Sequence, residues 1–145
     1  MSLRGWERSG WLKKHKTSRE EISDLFKVTD RDLADSSVEG LSPDAQLQHA
    51  YNAALQVAKA ALAAAGYRAG REAHHYRTIQ SLRFTIEAAP DLVSCLDSFR
   101  KKRNVGAYER AGSVSQQEAR EMAKLARTLQ KEVLTWIREF HPDLL

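Results

Sequence analysis

Ser42-Pro43-Asp44-Ala45-Gln46-Leu47-Gln48-His49-Ala50-Tyr51-Asn52-Ala53-Ala54-Leu55-Gln56-Val57-Ala58-Lys59-Ala60-Ala61-Leu62-Ala63-Ala64-Ala65-Gly66 is the stretch that decides how this chain folds. Ser42-Pro43 opens a helix, because the fixed φ of proline suits the first helical position. At about 100° per residue, Tyr51, Leu55, Ala58, Leu62 and Ala65 form one apolar stripe. Leu47, Ala50, Ala54, Val57 and Ala61 form another, and only a thin line through Gln48, Asn52, Gln56 and Lys59 is polar. A helix apolar nearly all round belongs at the centre of a bundle, and its alanines let neighbours approach closely.

The flanking segments supply those neighbours. Ser18 with Glu21 reads as a capping box opening a helix with Ile22, Leu25, Phe26 and Leu33 on one side and Gly40 at its end. After Tyr67–Glu72 a third helix is expected at about Ala73–Ala88, with Ile79, Leu82 and Ile86 inward. Pro90 and Asp91 start a fourth, ending around Gly106. Ser115 and Glu118 form a second capping box. The fifth helix carries Ala119, Met122, Ala126, Leu129, Val133, Trp136, Ile137 and Phe140 until His141-Pro142 stops it. Alternating strand patterns are absent. The reading is all-α, an antiparallel bundle of about five helices with short connections.

Residues 18–145 are read as one helical domain, preceded by a basic and aromatic arm at 1–17. The arm holds Trp6 and Trp11 among Arg4, Arg8, Lys13, Lys14 and Lys16. Aromatics among cations can stack bases and neutralise phosphates; tryptophans can equally fold back over a bundle, the commoner use of that side chain.

Composition narrows the function classes. With 145 residues, 42% hydrophobic and 29% charged, the chain can bury a core without staples. A net charge of +4 permits nucleic acid as a partner without demanding it. Cys95 stands alone, so no internal disulfide forms, which fits a reducing compartment. No signal-like run or membrane span is read, and the expected location is cytoplasmic. No Gly-rich phosphate loop is present and no cofactor is called. No metal site is called either: His74 and His75 diverge on a helix, and His15, His49 and His141 lie isolated in sequence.

The chemistry-bearing stretch is Arg100-Lys101-Lys102-Arg103-Asn104, followed by Tyr108 and Glu109. Leu92, Leu96, Phe99 and Arg103 share one narrow stripe, so Arg103 continues a buried or interface-facing seam. A guanidinium there calls for an anion. Either a carboxylate such as Glu87 or Glu109 supplies it, or a phosphate does. Arg100, Lys101, Lys102, Arg103 and Arg110 are the expected phosphate contacts.

The order of elements resembles the HEPN superfamily (higher eukaryotes and prokaryotes nucleotide-binding) across roughly residues 18–140. The likeness rests on Ala50-Tyr51-Asn52-Ala53-Ala54-Leu55, Ala65-Gly66-Tyr67-Arg68, the pair His74-His75, and Phe99 to Glu109. The resemblance implies a two-fold homodimer and RNA as partner. It also implies an Arg, often followed by Asn, working with a His four to six residues on as a metal-independent ribonuclease of toxin–antitoxin or defence systems. Arg103-Asn104 matches the first half; Tyr108 stands where the His belongs. The expected catalytic set is therefore Arg103, Asn104 and Tyr108, with His74 or His75 as base. The alternative is an inactive helical dimer that binds a protein partner, such as an antitoxin or a small nucleotidyltransferase.

Overall fold

The computed structural model describes residues 1–105 and 110–145. Among them, six α-helices and one short two-stranded sheet follow in the order α1 (Leu3–Arg8), β1 (Leu12–Lys14), α2 (Arg19–Ser36), α3 (Pro43–Ala64), β2 (Tyr67–Ala69), α4 (His74–Gln80), α5 (Pro90–Asn104) and α6 (Gln116–Phe140). The all-α reading holds, with α3 at the centre. Leu47, Ala50, Ala53, Ala54, Val57, Ala60 and Ala61 are all buried within one apolar core. α2 and α6 flank α3 along its length, and α4 and α5 pack against it as well.

Each long helix starts where its cap predicts. Ser42 accepts the amide of Ala45, with Pro43 in the first turn. Ser115 accepts from the Glu118 amide while Glu118 accepts from the Ser115 amide, so that capping box is complete. The box at α2 is only half formed. Ser18 accepts from the Glu21 amide, but the Glu21 carboxylate turns away to Thr17 and His15. Along α6, Ala119, Met122, Ala126, Leu129, Val133 and Ile137 are buried at spacings of three and four. Phe140, read as inward, is exposed at the last position of α6, directly before the His141-Pro142 stop.

Two segments depart from the sequence reading. The helix expected over Ala73–Ala88 ends at Gln80 and tightens into a 3₁₀ turn at Ser81–Arg83. Thr85 and Ile86 are β-branched, Glu87 takes a left-handed φ of 53°, and Pro90 disfavours helix in the residue before it. Leu82 and Ile79 are still buried, whereas Ile86 is only partly so.

The second departure is the sheet. Leu12, Lys13 and Lys14 pair antiparallel with Ala69, Arg68 and Tyr67. Three-residue strands are too short for a period-two pattern to stand out, and only the tertiary pairing creates them. The ladder binds the arm to the end of α3. Trp6 and Leu12 are buried with Leu62 and Ala69 in a second small cluster, and Trp6 meets Trp11 and Phe84 edge-on. Trp6 therefore covers the bundle, and Trp11 stays partly exposed with the Arg77 guanidinium 4.5 Å from its ring centroid.

Because α3 is enclosed on nearly every side, extra volume on it has nowhere to go. Ala61→Leu should destabilise the fold by about 1–3 kcal/mol through overpacking. A thermal melt should fall by several degrees; an unchanged melt would show that α3 is not the packed centre.

Candidate nucleic-acid interface

α5 begins at Pro90 and carries its apolar stripe inward: Val93, Leu96 and Phe99 are buried and Leu92 is half-buried. This stripe is covered within the chain by α3 and α4, so it is not an uncovered face awaiting a second copy. One turn beyond Phe99, Arg103 emerges half-buried above α3. Its guanidinium carbon lies 5.6 Å from the Tyr51 ring centroid, and its Nη1 donates to Asn104 Oδ1 at 3.1 Å. A guanidinium over an aromatic face is held there by the ring quadrupole.

On the far side of Tyr51, its hydroxyl lies 3.3 Å from His75 Nδ1. Arg103, Asn104, Tyr51 and His75 thus form a line joining the end of α5, the middle of α3 and the start of α4. His74 turns away from this line, as its helical spacing dictates. Its Nδ1 is 3.3 Å from the Gly70 carbonyl, and its ring is 5.9 Å from that of His75. Sequence reasoning placed Arg103, Asn104 and one of the two histidines at one site; the fold selects His75. Tyr108 and Glu109 lie outside the described residues.

The electrostatics of the line are set by burial and by cations. Burial pushes the Tyr51 phenol up to about 12, against the opposing pull of Arg103 and Arg100 and with a small push from Asp97. Burial also lowers His75, and Arg103, His74, Lys59 and Arg100 all add to that shift. At neutral pH the site therefore holds a protonated phenol and a neutral imidazole in a positive field. With its proton on Nδ1, the ring donates to the phenol oxygen and leaves the Nε2 lone pair free. With its proton on Nε2, the phenol donates instead. Only the first arrangement equips His75 to accept a proton.

The basic run is less uniform than its sequence suggests. Arg100 Nε donates to Asp97 Oδ1 at 2.8 Å, and its guanidinium lies 5.5 Å from the Tyr76 ring. Lys101 reaches Asp97 Oδ2 at 3.6 Å but is largely exposed, and Lys102 reaches Glu118 Oε2 on α6 at 3.3 Å. Arg110 is exposed. Exposed ion pairs of this kind contribute little to stability and are screened by salt. Arg100 is the firmer case, because Asp97 is itself mostly buried.

Two carboxylate pairings escaped the sequence reading. His15 Nε2 lies 2.7 Å from Glu21 Oε1, which also accepts from Thr17. Burial raises the Glu21 carboxyl, but Thr17, His15 and Lys59 together outweigh it and hold the group below its usual range. His49, isolated in sequence, comes together with Asp32 and Asp35 across α2 and α3, their donor atoms lying within 4.8 Å of one another. Asp32, the buried member, already accepts from Arg31 and Asn52. That is the arrangement of a satisfied buried carboxylate. Among the described residues no helix is long and apolar enough to cross a membrane.

No model of a known protein family matches the chain, and no curated protein matches it.

Because Arg103 helps keep His75 neutral, its removal should show in the titration of the ring. In Arg103→Gln, NMR should place the His75 pKa closer to the ordinary histidine value. A depressed histidine favours the folded state above its unfolded pKa, and that advantage is lost as pH falls through the interval down to the lowered folded value. Acid destabilisation should therefore be milder in Arg103→Gln. An unmoved His75 titration would separate the two residues electrostatically.

Proposed function

We propose that this chain is an RNA-binding helical protein of the HEPN type with slow, metal-independent ribonuclease chemistry, acting as a two-fold homodimer in a cytoplasmic toxin–antitoxin or defence system. The observation that carries the reading is the neutral His75 held beside Tyr51 in the field of Arg103, Arg100 and Lys59. A proton acceptor surrounded by fixed cations suits a reaction that deprotonates a hydroxyl while negative charge grows on a phosphate. The dimer and the biological setting rest on the resemblance alone.

In the proposed reaction a ribose 2′-hydroxyl attacks the adjacent phosphorus. His75 takes its proton, Arg103 and Arg100 offset charge on the phosphoryl oxygens, and Asn104 orients the Arg103 guanidinium. The bond from phosphorus to the 5′-oxygen breaks, leaving a cyclic phosphate. The departing oxygen takes a proton from Tyr108 or from the imidazolium formed in the first step. A tyrosine donor with an ordinary pKa near 10 makes that last transfer slow.

A second reading is favoured by one specific feature. Arg100 and Lys101 are turned to Asp97, and Lys102 to Glu118. A basic run held by internal carboxylates suits a non-catalytic module that binds a protein partner, such as a small nucleotidyltransferase or an antitoxin.

Cleavage of single-stranded RNA by the pure protein in EDTA distinguishes the two. The ribonuclease reading expects cleavage that falls about 10²–10³-fold in Arg103→Ala and about 10²–10⁴-fold in His75→Ala, with melting curves unchanged. Tyr108→His should raise the rate. Cleavage that survives Arg103→Ala would place the chemistry elsewhere; RNA neither bound nor cut would leave the protein-binding module standing. Replacing Lys101 and Lys102 together by Glu should weaken binding for every sequence and flatten its dependence on salt. Unchanged affinity would mark the two lysines as a solvated face.

A further inference from the structure

Beside the Arg103–Tyr51–His75 line lies a recess of about 260 Å³, closed on one side by the N-terminal arm. Its floor is apolar, made by Leu25, Leu62, Ala63 and Ala69. Its polar lining is of mixed character: the His15–Glu21 pair, Lys59, Arg68, His74 and, buried within, Thr78. Thr78 is 1% exposed, and the described residues give its hydroxyl no hydrogen-bond partner. A buried hydroxyl left unsatisfied inside a protein is costly, and a ligand or ordered water at the recess would relieve it.

The recess adjoins the cationic line through two neighbouring histidines. His74 lines it and stands ring to ring with His75. Lys59 on α3 also lines the recess, and its charge bears on both Glu21 and His75. Apolar side chains beside donors and acceptors match an unstacked heterocycle, which has apolar faces and a polar rim. The volume suits one such ring system and excludes a longer ligand. The neighbouring cations suit the phosphates on either side of it.

We propose that this recess receives a single unstacked base of single-stranded RNA, while the flanking phosphates lie along Lys59, Arg100 and Arg103. The inference rests on the RNA-binding reading and deepens it by adding a base-binding subsite, built from the arm, α2, α3 and α4. Thr78 and the His15–Glu21 pair contact the base edge. Tyr67, at the end of the ladder, borders the opening.

The test compares two probes by fluorescence anisotropy: a short single-stranded RNA, and an abasic ribose-phosphate oligomer of the same length. The full chain should bind the RNA about ten-fold or more tightly than the abasic oligomer, since burying the apolar faces of one ring is worth that much. Ala63→Phe fills the recess and should bring the two affinities together, leaving abasic binding unchanged. Thr78→Val removes only the hydroxyl, so it carries the test if Ala63→Phe fails to fold. It should weaken RNA binding about three-fold or more and leave abasic binding unaltered. Equal binding of both probes by the wild-type chain would overturn the base subsite while the phosphate contacts stood. A folded Ala63→Phe that kept the full preference would place the base elsewhere. Binding of neither probe would bring down the RNA reading itself, and the subsite with it.

Discussion

The close packing of α3 is the constraint on which the rest of the structure depends. Alanine at 50, 53, 54, 58, 60 and 61 gives the helix a narrow profile, so α2 and α6 can both lie against it while α4 and α5 cover what remains. Larger residues there would hold those helices apart and open voids that the surrounding leucines could not fill. The same enclosure explains why α3 can bury a tyrosine in its middle. Tyr51 is 1% exposed, and its phenol edge meets His75 where α4 begins.

From that placement the character of the candidate site follows. α3 presents Tyr51 and Lys59, α4 presents His75, and α5 presents Arg100, Arg103 and Asn104, so three separate stretches of the sequence meet here. Burial lowers the imidazole and the cations lower it further, so proton-accepting capacity and positive potential coexist. The carboxylates that bear on the same region, Asp97 and Glu118, are paired with cations of the run.

Most of the fold was legible from periodicity and caps. The stripe on α3 and the serines at 18, 42 and 115 located three of the long helices to within a few residues. What periodicity could not convey was long-range pairing. β1 and β2 have three residues each, and their partners lie more than fifty positions apart. The shortened α4 was hidden because Leu82 keeps the helical period even where the backbone has tightened to 3₁₀ geometry. At the site, Arg103 and Asn104 stood out as charge ending an apolar stripe. Tyr51 read only as core, since a phenol on an apolar face carries no mark of the histidine it will meet. Asp97, by contrast, sits three and four residues before Arg100 and Lys101, a spacing that signals ion pairs on any helix.

The proposed function requires the space bounded by His75, Arg103 and Arg100 to hold a phosphate. The most direct measurement is the pKa of His75 by NMR, with and without a saturating 2′-deoxy oligonucleotide that cannot be cut. A bound phosphate would offset the surrounding cations and favour the imidazolium, so the His75 pKa should rise on binding. Binding detected elsewhere on the protein, with His75 titrating as it does in the free chain, would contradict the claim.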